Sequence, residues 1–112
     1  MRNNTSINAV IEKVVAFRNQ RDWEKFHNGK DLAICLNCES SELMELFLWK
    51  NSDQVNKEKL KEELADVLYS AFLLIEKYEL DVDPIITEKL QKDNEKYSVE
   101  KSKGSNKKYN EL

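Results

Sequence analysis

The stretch NKEKLKEELADVLYSAFLLIEKY, residues 56–78, decides the fold. Within it Leu60, Leu64, Val67, Leu68, Ala71, Leu74 and Ile75 recur at spacings of three and four, which predicts one long helix over 56–78. Its second half is apolar nearly all round. A helix with one solvated face does not need that breadth, so burial on more than one side is expected, in a bundle interior or an oligomer interface. We expect a dimer or a tetramer. In the first half Glu63 shares the face of Leu60, Val67 and Leu74, and Asp66 follows three residues later.

Upstream, Asp31 is read as the cap of a helix reaching about residue 50, where Lys50-Asn51-Ser52-Asp53 reads as its exit. On this helix Glu39 lies amid Leu32, Cys35, Leu36, Leu43 and Leu46, with Glu42 one turn on. Both acid pairs are thus turned toward the core. A carboxylate removed from water without a partner costs several kcal/mol, so such helices must compensate with cations, hydrogen bonds or a bound metal. Residues 6–19, capped by Thr5 or Ser6, read as a first helix through Ile7, Val10, Ile11, Val14 and Val15. Residues 20–30 have no clean period and read as an irregular aromatic segment. Asp83-Pro84 reads as the opening of a last helix to about Tyr97, with Ile85, Ile86 and Leu90 inward. The expected division is a helical domain over 1–97 and a Lys/Ser-rich tail over 98–112, disordered on its own but able to order over a neighbouring subunit.

Composition agrees with an all-α class. Of 112 residues 35% are charged and 40% apolar, with two Gly and one Pro, which favours long amphipathic helices over a turn-rich sheet protein. A net charge of −3 disfavours the broad basic surface that nucleic-acid binding uses. With no apolar segment of signal-peptide or membrane-spanning length, a cytoplasmic protein is expected. Cys35 and Cys38 form a Cys-x-x-Cys inside a helical repeat rather than after a strand, so they read as buried packing residues rather than a redox pair.

Residues three apart on a helix are neighbours, so Glu39 with Glu42, and Glu63 with Asp66, can each present oxygens to one point. Hard divalent cations take such ligands: Mg²⁺ first, with Mn²⁺ as an alternative. A di-iron bundle pairs Glu with His three residues apart, and the sole histidine, His27, lies outside both pairs. Zinc would require thiols and imidazole arranged differently. On spacing alone the acids are equally readable as a solvated or lysine-paired helix face.

The run ESSELMELFLW, residues 39–49, followed by EELADV, residues 62–67, resembles the ExxE and ExxD motifs of the MazG-like all-α nucleoside triphosphate pyrophosphohydrolases. Phe17-Arg18, Arg21-Asp22-Trp23, Phe26-His27 and the ending Lys103-Gly104-Ser105 with Lys108-Tyr109 are similar to the branch that contains dCTP pyrophosphatase. Four separated motifs in the right order extend this resemblance over residues 14–112, and together they are far more specific than one ExxE.

The resemblance implies a four-helix, oligomeric MazG-like bundle that hydrolyses nucleoside triphosphates between the α and β phosphates, releasing monophosphate and pyrophosphate. It implies that Glu39, Glu42, Glu63 and Asp66 bind Mg²⁺, that Glu39 or Glu42 orients the attacking water, and that Lys89, Asn94 and Tyr97 contact substrate. Trp49, beyond Glu42 on nearly the same face, can stack on a base while Trp23, Phe26 and His27 close the other wall. These rings can equally fill a core or an oligomer contact. Cys38 and Ser41 stand where relatives often carry Gly, Leu48 where Gln is frequent, and Ser98 where Pro is usual. Leu48 bears on base preference, because it removes a polar group beside the stacking platform. The expected function is nucleotide-pool house-cleaning with dCTP or a modified dCTP favoured. The alternative is a noncatalytic helical interaction or regulatory module with ion-paired acids.

Overall fold

The computed structural model describes residues 2–112, and among them there is no strand. Helix α1 spans Ile7–Gln20, α2 Gly29–Glu45, α3 Lys57–Lys77, α4 Val82–Lys96 and α5 Val99–Ser102. Single 3-10 turns lie at Glu24–Phe26, Ser52–Gln54 and Tyr109–Glu111. The chain divides into two compact units, the first ending at Leu80 and the second spanning Asp81–Leu112. Among the described residues no helix is long and apolar enough to cross a membrane.

Side-chain caps open the first three helices. Ser6 Oγ accepts the Ala9 N–H at 3.1 Å, Asn28 Oδ1 accepts the Asp31 N–H at 2.8 Å, and Asn56 Oδ1 accepts the N–H groups of Glu58 and Lys59. Each satisfies donors that a helix start leaves without partners. Asn28, not Asp31, caps α2, and the Asp31 carboxylate instead accepts from Asn28 Nδ2. α2 also closes earlier than its pattern suggests. After Glu45 the backbone tightens to i→i−3 bonds, Leu46 to Leu43 and Leu48 to Glu45, and Trp49 takes a φ of 63°.

In the first unit α3 packs chiefly against α2 and, more sparingly, against α1. Ile11, Leu32, Phe72 and Leu73 are its buried apolar side chains. Arg18 is buried with them, its Nε and Nη2 donating to Asn19 Oδ1 at 3.0 and 2.8 Å and its guanidinium 3.8 Å from Glu24. Leu64 and Leu68 of α3 are respectively 41% and 49% exposed. The two cysteines are exposed rather than packed inside, since they fall off the α2 stripe that carries Leu32, Leu36 and Leu43.

In the second unit α4 begins at Val82, one turn position before the expected cap, so Pro84 lies inside the first turn, where its missing N–H has no intrahelical partner to lose. Asp83 accepts from Thr87 Oγ1 instead. Ile85, Ile86 and Leu90 are exposed, not inward. The tail forms α5 and a terminal turn. Tyr109 packs edge-on against Tyr97 at 6.1 Å, with the Lys96 ammonium 5.0 Å from the Tyr109 ring, so local aromatic and cation–π contacts supply what composition alone lacked.

Candidate metal centre

Glu39 follows buried Leu32 by seven residues on α2, while Glu63 and Asp66 precede buried Ser70 and Leu73 by seven on α3. Seven residues are nearly two turns, so the acids extend the two stripes that make the core. Where α2 and α3 face each other, one oxygen from each of Glu39, Glu42, Glu63 and Asp66 lies within 4.8 Å of all the others. Glu39 and Glu63 are partly buried and Glu42 and Asp66 exposed.

The electrostatics are those of like charges held together. Burial raises the Glu39 carboxyl above its ordinary value of 4.5, and Glu42, then Asp66 and Glu63, push it further in the same direction. Burial also raises Glu63, reinforced by Glu42 and Asp66 and then by Glu62. Glu39 Oε2 and Glu63 Oε2 are shut off from solvent with no hydrogen-bond partner. Among the described residues no Lys or Arg forms an ion pair with any of the four. Four converging oxygens, two of them orphaned, in an all-oxygen donor set fit a hard divalent cation better than a lysine-paired surface.

Beside the cluster is a cavity of about 670 Å³ lined by Glu42, Glu45, Leu46, Lys50, Asn56, Lys59 and Glu63. Lys50, Asn56 and Lys59 were not singled out by the sequence reading. The available signal was spacing: Lys59 precedes Glu63 by one turn on α3, and Lys50 immediately follows Trp49.

The aromatic residues expected around a base are dispersed. Trp49 is fully exposed, and the early end of α2 removes it from the helical face of Glu42. Trp23 packs edge-on against Phe17 at 6.0 Å, and the Arg21 guanidinium lies 3.6 Å over the Phe17 ring. His27, with Nδ1 buried and unpartnered, lines a separate cavity of about 410 Å³ with Asp22, Glu24, Lys25, Asn28 and Lys77. In the second unit Lys89 is held 2.9 Å from Asp93, Asn94 is exposed, and Tyr97 is partly buried.

A model of the MazG-like family matches residues 34–112. Among characterised proteins, the chain is 36% identical over 104 residues to dCTP pyrophosphatase 1 of Mus musculus, covering 86% of this chain and 61% of that protein. It is 32% identical over 104 residues to dCTP pyrophosphatase 1 of Homo sapiens, with 86% and 61% covered. The chain therefore spans about three fifths of the length of these relatives. Its fold is similar to the crystal structure of a pyrophosphatase from Archaeoglobus fulgidus, with a TM-score of 0.77, 28% identity, and 88% of this chain and 97% of that chain covered.

Proposed function

This chain belongs to the MazG-like family, and we propose that it is a Mg²⁺-dependent nucleoside triphosphate pyrophosphohydrolase, forming monophosphate and pyrophosphate. The observation that carries this reading is the convergence of four carboxylate oxygens from α2 and α3 within 4.8 Å. The names of the mouse and human relatives support dCTP or a modified dCTP as substrate. House-cleaning of the cytoplasmic nucleotide pool is the corresponding role.

Glu39, Glu42, Glu63 and Asp66 would hold Mg²⁺, with Mn²⁺ as a substitute. When bound, the ion offsets phosphate charge and makes water a better nucleophile at neutral pH. Water oxygen bonds to the α phosphorus, the bond from that phosphorus to the α–β bridging oxygen breaks, and pyrophosphate leaves with the bridging oxygen. Glu39, whose Oε2 is buried without a hydrogen-bond partner, orients the water and takes its proton. Glu42 is the other acid able to orient that water. Lys89 supplies a point charge and Asn94 an amide donor to phosphate oxygens, Tyr97 a further contact, and Lys89 must first exchange its Asp93 partner. Trp49, Trp23 and His27 are the base-binding candidates, and because Trp23 and His27 precede the 17-residue helix α2 while Trp49 follows it, about 25 Å away along the axis, one base meets both sets only where two chains of an assembly contribute one set each. Exposed Leu64 and Leu68 support assembly into a dimer or tetramer.

The test is a panel of canonical and modified dNTPs and NTPs incubated with and without Mg²⁺, with the nucleotide product identified. Monophosphate and pyrophosphate formed only with the metal is the expected result. Folded protein that turns over no triphosphate would overturn the reading in favour of a noncatalytic helical module.

A further inference from the structure

We propose that Lys50 and Lys59 receive the β and γ phosphates and hold the departing pyrophosphate, an inference that rests on the hydrolase reading above. Both line the cavity of about 670 Å³ that Glu42 and Glu63 of the acid cluster also line. One arrives from the turn after α2, the other from the first turn of α3. Neither makes an ion pair within 4.0 Å among the described residues, although Glu42, Glu45 and Glu63 line the same space. Two lysines and three acids thus line one cavity without an ion pair to the lysines, which leaves both ammonium groups available to a polyanion.

The chemistry of the lining separates the two ends of a nucleotide. Among the described residues no aromatic ring lines this cavity, so it offers a base nothing to stack on. Asn56 adds an amide whose Oδ1 is engaged by the Glu58 and Lys59 N–H groups, which leaves its Nδ2 as a donor. Hydrolysis at the α phosphorus puts growing negative charge on the β phosphate, and a compact, rotatable ammonium suits that charge in a chain that must then leave. Lys50 and Lys59 therefore act on the leaving group. The carboxylates act on the side of the attacking water.

The experiment is calorimetric titration of inorganic pyrophosphate, with Mg²⁺ present, into the full chain and into Lys50→Gln, Lys59→Gln, the double Lys→Gln variant and the Lys→Arg counterparts, alongside triphosphate turnover. Each Lys→Gln variant is expected to weaken pyrophosphate binding about tenfold and Lys→Arg to restore most of it, with monophosphate affinity unchanged. Both lysines are exposed, so the variants are expected to fold, and circular dichroism verifies this. Pyrophosphate affinity unchanged in the double Lys→Gln variant, or absent in the parent chain, would overturn the assignment. Turnover in the parent chain is scored separately: a chain that hydrolyses triphosphate but binds pyrophosphate without these lysines loses this inference and keeps the hydrolase reading.

Discussion

The phenol end of Tyr78, at the close of α3, fills the space that a side chain on Gly29 would need at the start of α2. The nearest atoms to an added Cβ are the Tyr78 hydroxyl and its ring carbons, so the two helices approach here because Gly29 carries no side chain. Tyr78 is 61% exposed and meets the added methyl with the far end of its side chain, which can swing aside, so Gly29→Ala is expected to destabilise the chain by no more than about 1 kcal/mol, read from urea unfolding. Adding Tyr78→Ala should recover part of the loss, and strictly additive effects would mean that the two side chains do not compete.

Glu39 and Glu63 both have carboxyls raised above 4.5. In the metal-free chain, the folded state therefore holds protons that the unfolded state releases, and stability falls as pH rises from the ordinary value through the raised one. Above the raised value the full penalty remains. Melting temperature in EDTA should drop as pH rises above 4.5, and the drop should shrink in Glu39→Gln and Glu63→Gln. Parallel curves for parent and variants would show that neither carboxyl is strained.

Mg²⁺ relieves the same repulsion, so it should stabilise the fold, by roughly 2.7 kcal/mol at about 100 times its Kd. Asp66→Asn should fold, lose most of that shift, and lose turnover by at least about 100-fold. A full Mg²⁺ shift in Asp66→Asn would remove this residue from the ligand set.

Trp49 combines complete exposure with a φ of 63°. A tryptophan in that backbone region is strained where glycine is not, so Trp49→Gly should leave stability unchanged or raise it by about 1 kcal/mol. The same change should raise KM roughly fivefold to 150-fold if the ring stacks on the base at about 1 to 3 kcal/mol. A marked loss of stability with unchanged KM would make Trp49 a packing residue of an assembled form.

The legible part of the site was the part written in local periodicity. Glu39, Glu42, Glu63 and Asp66 share stripes with Leu32, Ser70 and Leu73, and a helix carries such a stripe through space at a fixed rise and twist. Cys35 was misplaced because 100° per residue locates a stripe but not its edges, and the partner helix, not the sequence, sets the width of the covered strip. Ile85, Ile86 and Leu90 failed in the same way: an apolar face states a demand for burial without naming what meets it. For the tail, composition cannot register a single pair such as Tyr97 with Tyr109, which meet edge-on in the folded chain.

Two quantities therefore have different origins in this protein. Helical class, the order of α1 to α4 and the pairing of acids along α2 and α3 follow from the chain alone, because backbone hydrogen bonding and residue spacing act over a few neighbouring positions. The closeness of the pairs, the cavity that gathers Lys50 and Lys59 beside them, and the release of Trp49 from the face of Glu42 arise in the folded molecule. They depend on how near two helices approach and where one of them stops, which are set by competition among packing contacts such as Tyr78 on Gly29 and by the terminal backbone bonds after Glu45.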